Sequence, residues 1–400
     1  MRISTSSLYS TATTQLGTLQ SQMARTQQQL ATNHRMLSAA DDPVAAARAL
    51  EVAQSQSINA QFATNRQTAR SALSQQEVAL TGVQNLILDV QELAAAAANG
   101  TNSATERSTY ANTLQGRLDD LIALANSSDS NGSYLFGGYK SGTAPFVDTN
   151  AGVQYVGDQG QVQLQVSSAR KVAINDAGSA VFNGIASGNG VFTTASVAGN
   201  AGTGMIAAGA VSDASALNGH SYRLDFDATG ANYTVTDTTT GTSAPPAPYT
   251  SGAPIVAAGM RFDIQGVPAG GDKFNVQPSD KQTLFATLGN LVATLRAPAT
   301  SSAEKGALSA GLAQAGRNLS ASLDNVLSVR ASVGTRQKEF DALDDAGLDL
   351  DIQYAATLSG LQDLDVVKAI SSFTQQQAAL EAAQKSFKTM SSLSLFNYIG

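Results

Sequence analysis

The chain of 400 residues contains no cysteine and no tryptophan, and only two histidines, His34 and His220. Without cysteine there is no disulfide framework, no thiolate metal site and no thiol nucleophile. Two histidines in different parts of the chain exclude a zinc site of the HExxH kind, and neither stands where it would serve a serine nucleophile. No GxGxxG stretch and no Walker A loop is present to cradle a phosphate. The expectation is a protein that is not an enzyme and has no catalytic, cofactor-binding or metal-binding residues. Charge is scarce as well, at 14% of residues against about a quarter in an average globular chain. The net charge is −7 and no cluster of Lys or Arg occurs. Neither nucleic acid nor an anionic membrane is expected as a partner, since both need concentrated basic surface. Long apolar runs are missing too. The longest, "LAAAAA" at 93–98, is far short of the roughly 20 residues that span a bilayer, so no membrane insertion is expected. The opening "MRISTSSLYSTATTQLG" has no apolar core of a secretory signal. Such a chain is expected to stay in the cytoplasm or to leave by a route that reads no such signal.

What is present is unevenly spread. Residues 127–280 hold 23 of the 35 glycines and 7 of the 9 prolines, so a turn-rich middle is set between two turn-poor, helical flanks. In the first flank Leu16, Leu19, Met23, Leu30 and Leu37 step by threes and fours or by sevens, with Thr26 and Asn33 on the same stripe. The last flank mirrors it: Val366, Phe373, Leu380 and Phe387 recur every seven residues, and Ile370, Gln377 and Gln384 form a second row. Each apolar seam residue stabilises by about 1.5–3 kcal/mol when fully buried and by almost nothing in water. A helix with so narrow a stripe needs a partner, and the natural partners are the other terminal helix and the same helices of neighbouring subunits.

No acidic residue precedes Asp41. Asp42 followed by Pro43 then reads as an N-cap and a proline in the first helical position, so the terminal arm and the next helix are separate elements joined at 38–42. That helix is expected to run to Asn99-Gly100 with the stripe Leu73, Leu80, Val83, Ile87, Val90. Ser103 with Glu106, Ser279 with Gln282 and Ser301 with Glu304 fit capping boxes for three more helices. The last of these opens a stripe through Leu308, Leu312, Leu319, Val326, Val333 and Phe340, with Gly334 inside it. The middle reads as antiparallel strands in a small sandwich or barrel: "QVQLQV", a hairpin of "SYRLDF" and "NYTVTD" around 227–230, then "MRFDIQG" and "DKFNVQP". The acidic stretch "DALDDAGLDLD" at 341–351 lacks calcium-loop spacing and reads as a solvated charge run. The fold class expected is α+β: elongated, with a long antiparallel helical bundle or coiled coil formed by both termini and an inserted antiparallel β domain. The segments expected are a terminal arm of 1–41 with 352–400, disordered in the monomer; a long-helix bundle of 42–145 with 280–351; and an outward-facing β domain of 146–279.

Several stretches together resemble flagellin-like proteins. They are "MRISTSSLY", "QLATNHRMLSAADDPVAAARAL" at 29–50, "SSDSNGSYLFGGYKSGTAPF" at 127–146, "VLSVRASVGTRQKEFD" at 326–341 and "ALEAAQKSFKTMSSLSLFNYIG" at 379–400. The turn Tyr134-Leu135-Phe136-Gly137-Gly138 and the terminal Ser394-Leu395-Phe396 are closer to the hook-associated protein 3 branch than to flagellin. Residues 260–285 are similar to a module of the hook-associated proteins. Asn33 and His34 stand where many relatives have glycine and a basic residue, and Asn can still take the left-handed turn. The resemblance implies a structural protein exported unfolded through the flagellar type III channel, with a cytoplasmic export chaperone, to the extracellular flagellum. There it implies a layer of copies in a ring between hook-associated protein 1 and flagellin. The terminal seams, together with Leu395 and Phe396, would carry axial and lateral subunit contacts, and Asp42-Pro43 a hinge. The readings set against it are a flagellin forming the bulk filament, or an adhesive or carbohydrate-binding module on a structural stem.

Overall fold

Pro43 opens a helix of 55 residues because Asp42 caps it: the carboxylate accepts the Ala45 N–H at 3.0 Å and the Asp42 carbonyl accepts the Ala46 N–H at 2.9 Å. The computed structural model describes residues 5–197 and 199–392. Among them the helices are α1 (Thr5–Thr32), α2 (Pro43–Ala97), α3 (Ala104–Ala125), α4 (Gly178–Phe182), α5 (Leu284–Arg296), α6 (Ser302–Gln362) and α7 (Val366–Ser392). The chain divides into two compact units, Met1–Thr64 with Ala342–Gly400, and Asn65–Asp341.

The larger unit is built on α2 and α6. The expected stripe on α2 is fully buried from Leu73 to Val90, as are Leu319, Val326, Val333 and Phe340 on α6, and α6 passes Gly334 without a break. Polar links fix the two helices as antiparallel. Gln91 donates to Ser320 at 3.2 Å, Arg330 pairs with Glu77 at 2.5 Å, and Arg70 pairs with Asp341 at 2.7 Å. Ser103 and Glu106 form the expected capping box on α3, which packs against α5. The box expected at Ser279 and Gln282 does not form. Those residues are taken up by strand pairing, Ser279 donating to the Ser187 carbonyl and Gln282 lying in a strand, and Thr283 caps α5 instead through the Ala286 N–H. Cap chemistry at 279 loses to a backbone ladder that satisfies more groups.

The strands are β1 (Phe146–Thr149), β2 (Gly152–Tyr155), β3 (Gln163–Ser167), β4 (Arg170–Ala173), β5 (Ile185–Ala186), β6 (Phe192–Ser196), β7 (Met205–Ile206), β8 (Ala210–Val211), β9 (Tyr222–Phe226), β10 (Asn232–Asp237), β11 (Ala247–Pro248), β12 (Pro254–Ala257), β13 (Met260–Gln265), β14 (Lys273–Pro278) and β15 (Lys281–Gln282). A five-stranded sheet in the order β11-β10-β9-β14-β6 and a four-stranded one of β12, β13, β7 and β8 share one core. Phe192, Leu224 and Phe274 enter it from the first sheet, Ile255, Phe262 and Ile264 from the second. The strand pairs are antiparallel, as the alternating sequence requires. The preceding hairpins bind elsewhere. Phe146 of β1 packs on Phe182 of α4 and Phe285 of α5, at ring separations of 5.2 and 5.0 Å. Asp176, just beyond β4, accepts from Gln76, Gln161 and Arg336, the last at 2.5 Å.

Candidate assembly surface

In the smaller unit, α1 packs along α7. The Tyr9 and Phe387 rings meet edge to face at 5.4 Å, and the Thr26 hydroxyl contacts Gln376 Oε1 at 3.1 Å. Leu16, Leu19, Met23 and Leu30 all fall on the half-buried side of α1, as their spacing predicts. On α7 the row of Phe373, Leu380 and Phe387 turns the same way, Leu380 being buried and the two rings half-buried. The second row differs from the one expected. Ala369, Gln376 and Ala383 face α1's side, while Val366, Ile370, Gln377 and Gln384 are exposed. The row expected at Ile370, Gln377 and Gln384 is one position out of phase, because close helix packing favours the small Ala369 and Ala383. Leu37 is not on α1 either. The helix ends at Thr32, and Leu37 lies half-buried in the connector. Leu395 and Phe396 lie outside the described residues.

The connector is held by polar chemistry that single-residue patterns do not reveal. Asn33 takes φ 57°, the left-handed turn that lets α1 stop. Its carbonyl accepts the Leu364 N–H at 3.1 Å, and Arg35 N–H donates to the Gln362 carbonyl at 2.8 Å, so the end of α1 and the end of α6 lie side by side. The Arg35 guanidinium also reaches the Leu361 carbonyl at 3.0 Å and Asp42 at 3.3 Å. Asp41 accepts the backbone N–H groups of Leu37 and Ser38, which hold its carboxyl below the usual range, and pairs with Arg25 at 2.6 Å. The Ala45 N–H does the same for Asp42. Asp365 caps α7 through the Lys368 N–H at 3.0 Å; an acidic residue just before a helix was the signal for it.

Burial in this unit is inverted. Among its described residues the buried apolar side chains are Ala45, Ala49, Ala369 and Leu380. Several large ones point outward, with Val367 at 81% exposure, Ile352 at 69% and Leu348 at 63%, joined by Val44 and Leu50. α2 and α6 meet here through amides, Asn59 donating to the Gly347 carbonyl and Gln56 to Asp351. Leu348 and Ile352, four residues apart on α6, are exposed on one face of that helix. Among the described residues no three or more acidic or histidine side chains converge as metal ligands would, and no helix is long and apolar enough to cross a membrane.

Residues 3–141 match the bacterial flagellin N-terminal helical region, and residues 195–278 match the D2-like domain of flagellar hook-associated protein 1. Flagellar hook-associated protein 3 of Salmonella typhimurium is 31% identical over 397 residues, 99% of each chain, and that of Escherichia coli is 30% identical over the same share. Among solved structures, flagellar hook-associated protein-3 from Legionella pneumophila superposes with a TM-score of 0.74 at 31% identity, covering 78% of this chain and 98% of that one. A structure of the flagellar junction protein FlgL from the same organism gives 0.72 at 30% identity, covering 79% and 100%. Identity sustained from end to end, together with a matching arrangement of helices and β domain, places this chain in the family of flagellar hook-associated protein 3.

Proposed function

We propose that this chain is a structural subunit of the bacterial flagellum, forming the junction layer between hook-associated protein 1 and the flagellin filament. The observation that carries the reading is the full-length similarity to hook-associated protein 3, in relatives that cover 99% of this chain. It favours a junction layer over a bulk filament protein or an adhesive module. The outward-facing Leu348, Ile352, Val367 and Ile370 supply the apolar surface that such a layer needs between its copies and toward its neighbours. In this reading Leu16, Leu19, Met23, Leu30, Phe373, Leu380 and Phe387 hold the terminal pair together, and Val366 and Ile370 face adjoining subunits. The absence of cysteine and the small charge content suit passage through the flagellar type III channel as an unfolded chain escorted by a chaperone.

The test is a clean deletion of the encoding gene, with electron microscopy of the cells and an assay for flagellin in the medium. Hooks without filaments, and flagellin shed outside, are the expected result. Normal filaments would defeat the proposal; bare hooks with no shed flagellin would make the chain a flagellin instead.

A further inference from the structure

In the larger unit a cavity of about 910 Å³ opens between α6 and the turn at 184–190. Its floor is one face of α6, where Ala313, Gly316, Ser320 and Ala321 leave room at the level of the backbone. Two charged side chains line it, Arg317 and Asp324. They are seven residues apart on the helix, roughly 10 Å along its axis.

Arg317 is in an unusual position for a cation. It is half-buried, its Nε is buried without a partner, and its Nη2 donates only to the neutral Gln314 Oε1 at 2.5 Å. Burial pulls the guanidinium down from its usual range, and no neighbouring charge offsets this. Gln314 leads on to Asn318 and Asn318 to Gln282, whose Nε2 is again a buried donor without an acceptor. The chain of amides therefore begins and ends in donors. A desolvated cation with only neutral neighbours is unfavourable until a carboxylate arrives, and a guanidinium is shaped to take one bidentately.

The same chain offers that carboxylate from elsewhere. Asp345, Leu348, Asp349 and Ile352 fall at i, i+3, i+4 and i+7 on α6 and form one exposed stripe. Neighbouring acids of the run are engaged, Asp341 by Arg70 and Asp351 by Gln56. Asp345 and Asp349 have no polar partner among the described residues. We propose that in the assembled layer the stripe of Asp345, Leu348, Asp349 and Ile352 on one copy seats in the Arg317 cavity of the next. One carboxylate meets the guanidinium, and the two apolar side chains cover the small-residue floor. Asp324 lies far enough along the helix to leave the Arg317 end open to an acid. The contact joins two different patches, so it is heterologous and repeats around a ring of copies. This rests on the reading of the chain as the subunit of a layer.

The cysteine-free chain makes the contact testable in place. A Ser320→Cys, Asp345→Cys double variant is expressed from its own locus, and stripped flagella are treated with a short bismaleimide. Dimers and higher multimers are expected on an immunoblot for the pair, and monomers for each single variant. Filaments of normal appearance carrying only monomeric protein would overturn the contact. Should the pair hinder assembly, charge reversal decides. Arg317→Glu is expected to lower filament number by about tenfold or more, and adding Asp345→Arg with Asp349→Arg to restore it. Unchanged filaments with Arg317→Glu, or no restoration, would overturn the proposal. A gene deletion that strips filaments, alongside an Arg317→Glu strain that behaves as wild type, would sink the contact and leave the junction reading standing.

Discussion

Gly138 holds φ at +69°, and a Cβ there would lie 2.2 Å from Asp158 Oδ1 and 2.5 Å from its carbonyl oxygen. The Asp158 carboxylate is fixed in turn. It accepts the Tyr139 and Gly160 N–H groups, both at 2.8 Å, and those bonds hold its carboxyl below the usual range. The second glycine of "YLFGG" is therefore required by the approach of a second loop, while Gly142 stands in open space. We expect Gly138→Ala to cost about 1–3 kcal/mol and Gly142→Ala to stay within roughly 0.5 kcal/mol of wild type, as read by thermal unfolding. Equal shifts for the two variants would refute this account. The motif itself was legible in the sequence, and so was the left-handed tolerance of Asn33. Asp158, Arg35 on the Gln362 carbonyl, and the unsatisfied Arg317 were not. Each depends on residues brought together from distant parts of the chain, which no local pattern records.

Elements whose signals are local were legible nearly to the residue. Asp42-Pro43, Ser103 with Glu106, and Ser301 with Glu304 start their helices where the cap chemistry says. Ser279 failed because a strand partner 92 residues away competed for it. Glu304 gives the cap of α6 a pH signature. Its carboxylate accepts the Ser301 N–H at 2.9 Å and the Thr300 hydroxyl and N–H at 2.7 Å each, and these bonds pull its pKa from 4.5 to about 2. The folded state thus binds this proton less readily than the unfolded chain does. The contribution is complete above about pH 5 and is lost as pH falls from the ordinary carboxylate range toward 2. Glu304→Gln should lower stability at pH 7, and the gap from wild type should close as the pH approaches 2. A gap independent of pH would show that the charge is not what holds the cap. The β insertion makes a second prediction at this scale. Ser187 and Asp280 are bonded backbone to backbone at 3.0 Å, and β5 pairs with β15 immediately outside them. The domain between them has its own core. Replacing 188–279 with a short Gly-Asn turn should leave the Asn65–Asp341 unit cooperatively folded, as judged by calorimetry. Loss of its unfolding transition would mean that the insertion supports the helices.

At the scale of the whole molecule, the two units differ in what their sequences can bury. The unit of Asn65–Asp341 encloses large side chains such as Phe136, Phe182, Phe274 and Phe340 completely. In the unit of both termini, Leu380 is the one large apolar side chain buried among the described residues, and Leu16, Leu19, Met23, Leu30, Phe373 and Phe387 stay half in water. Full burial of each would stabilise by about 1.5–3 kcal/mol, so a pair of helices that buries them by half leaves much of that unrealised. Ordering each residue meanwhile costs about 1–2 kcal/mol of backbone entropy. The balance places α1 and α7 at the low end of local stability, where opening is frequent. Assembly would change it by covering the exposed sides of the same helices. In a dilute monomer, amides of 5–32 and 366–392 should therefore exchange within seconds to minutes, while those of α6 around Leu319 to Val333 persist far longer. In stripped flagella the terminal segments should slow by orders of magnitude. Mass-resolved hydrogen exchange on both samples reads the comparison directly. Protection of the terminal helices in the monomer equal to that around Val326 would mean that the α1–α7 seam is sufficient by itself, and that subunit contacts add affinity without adding order.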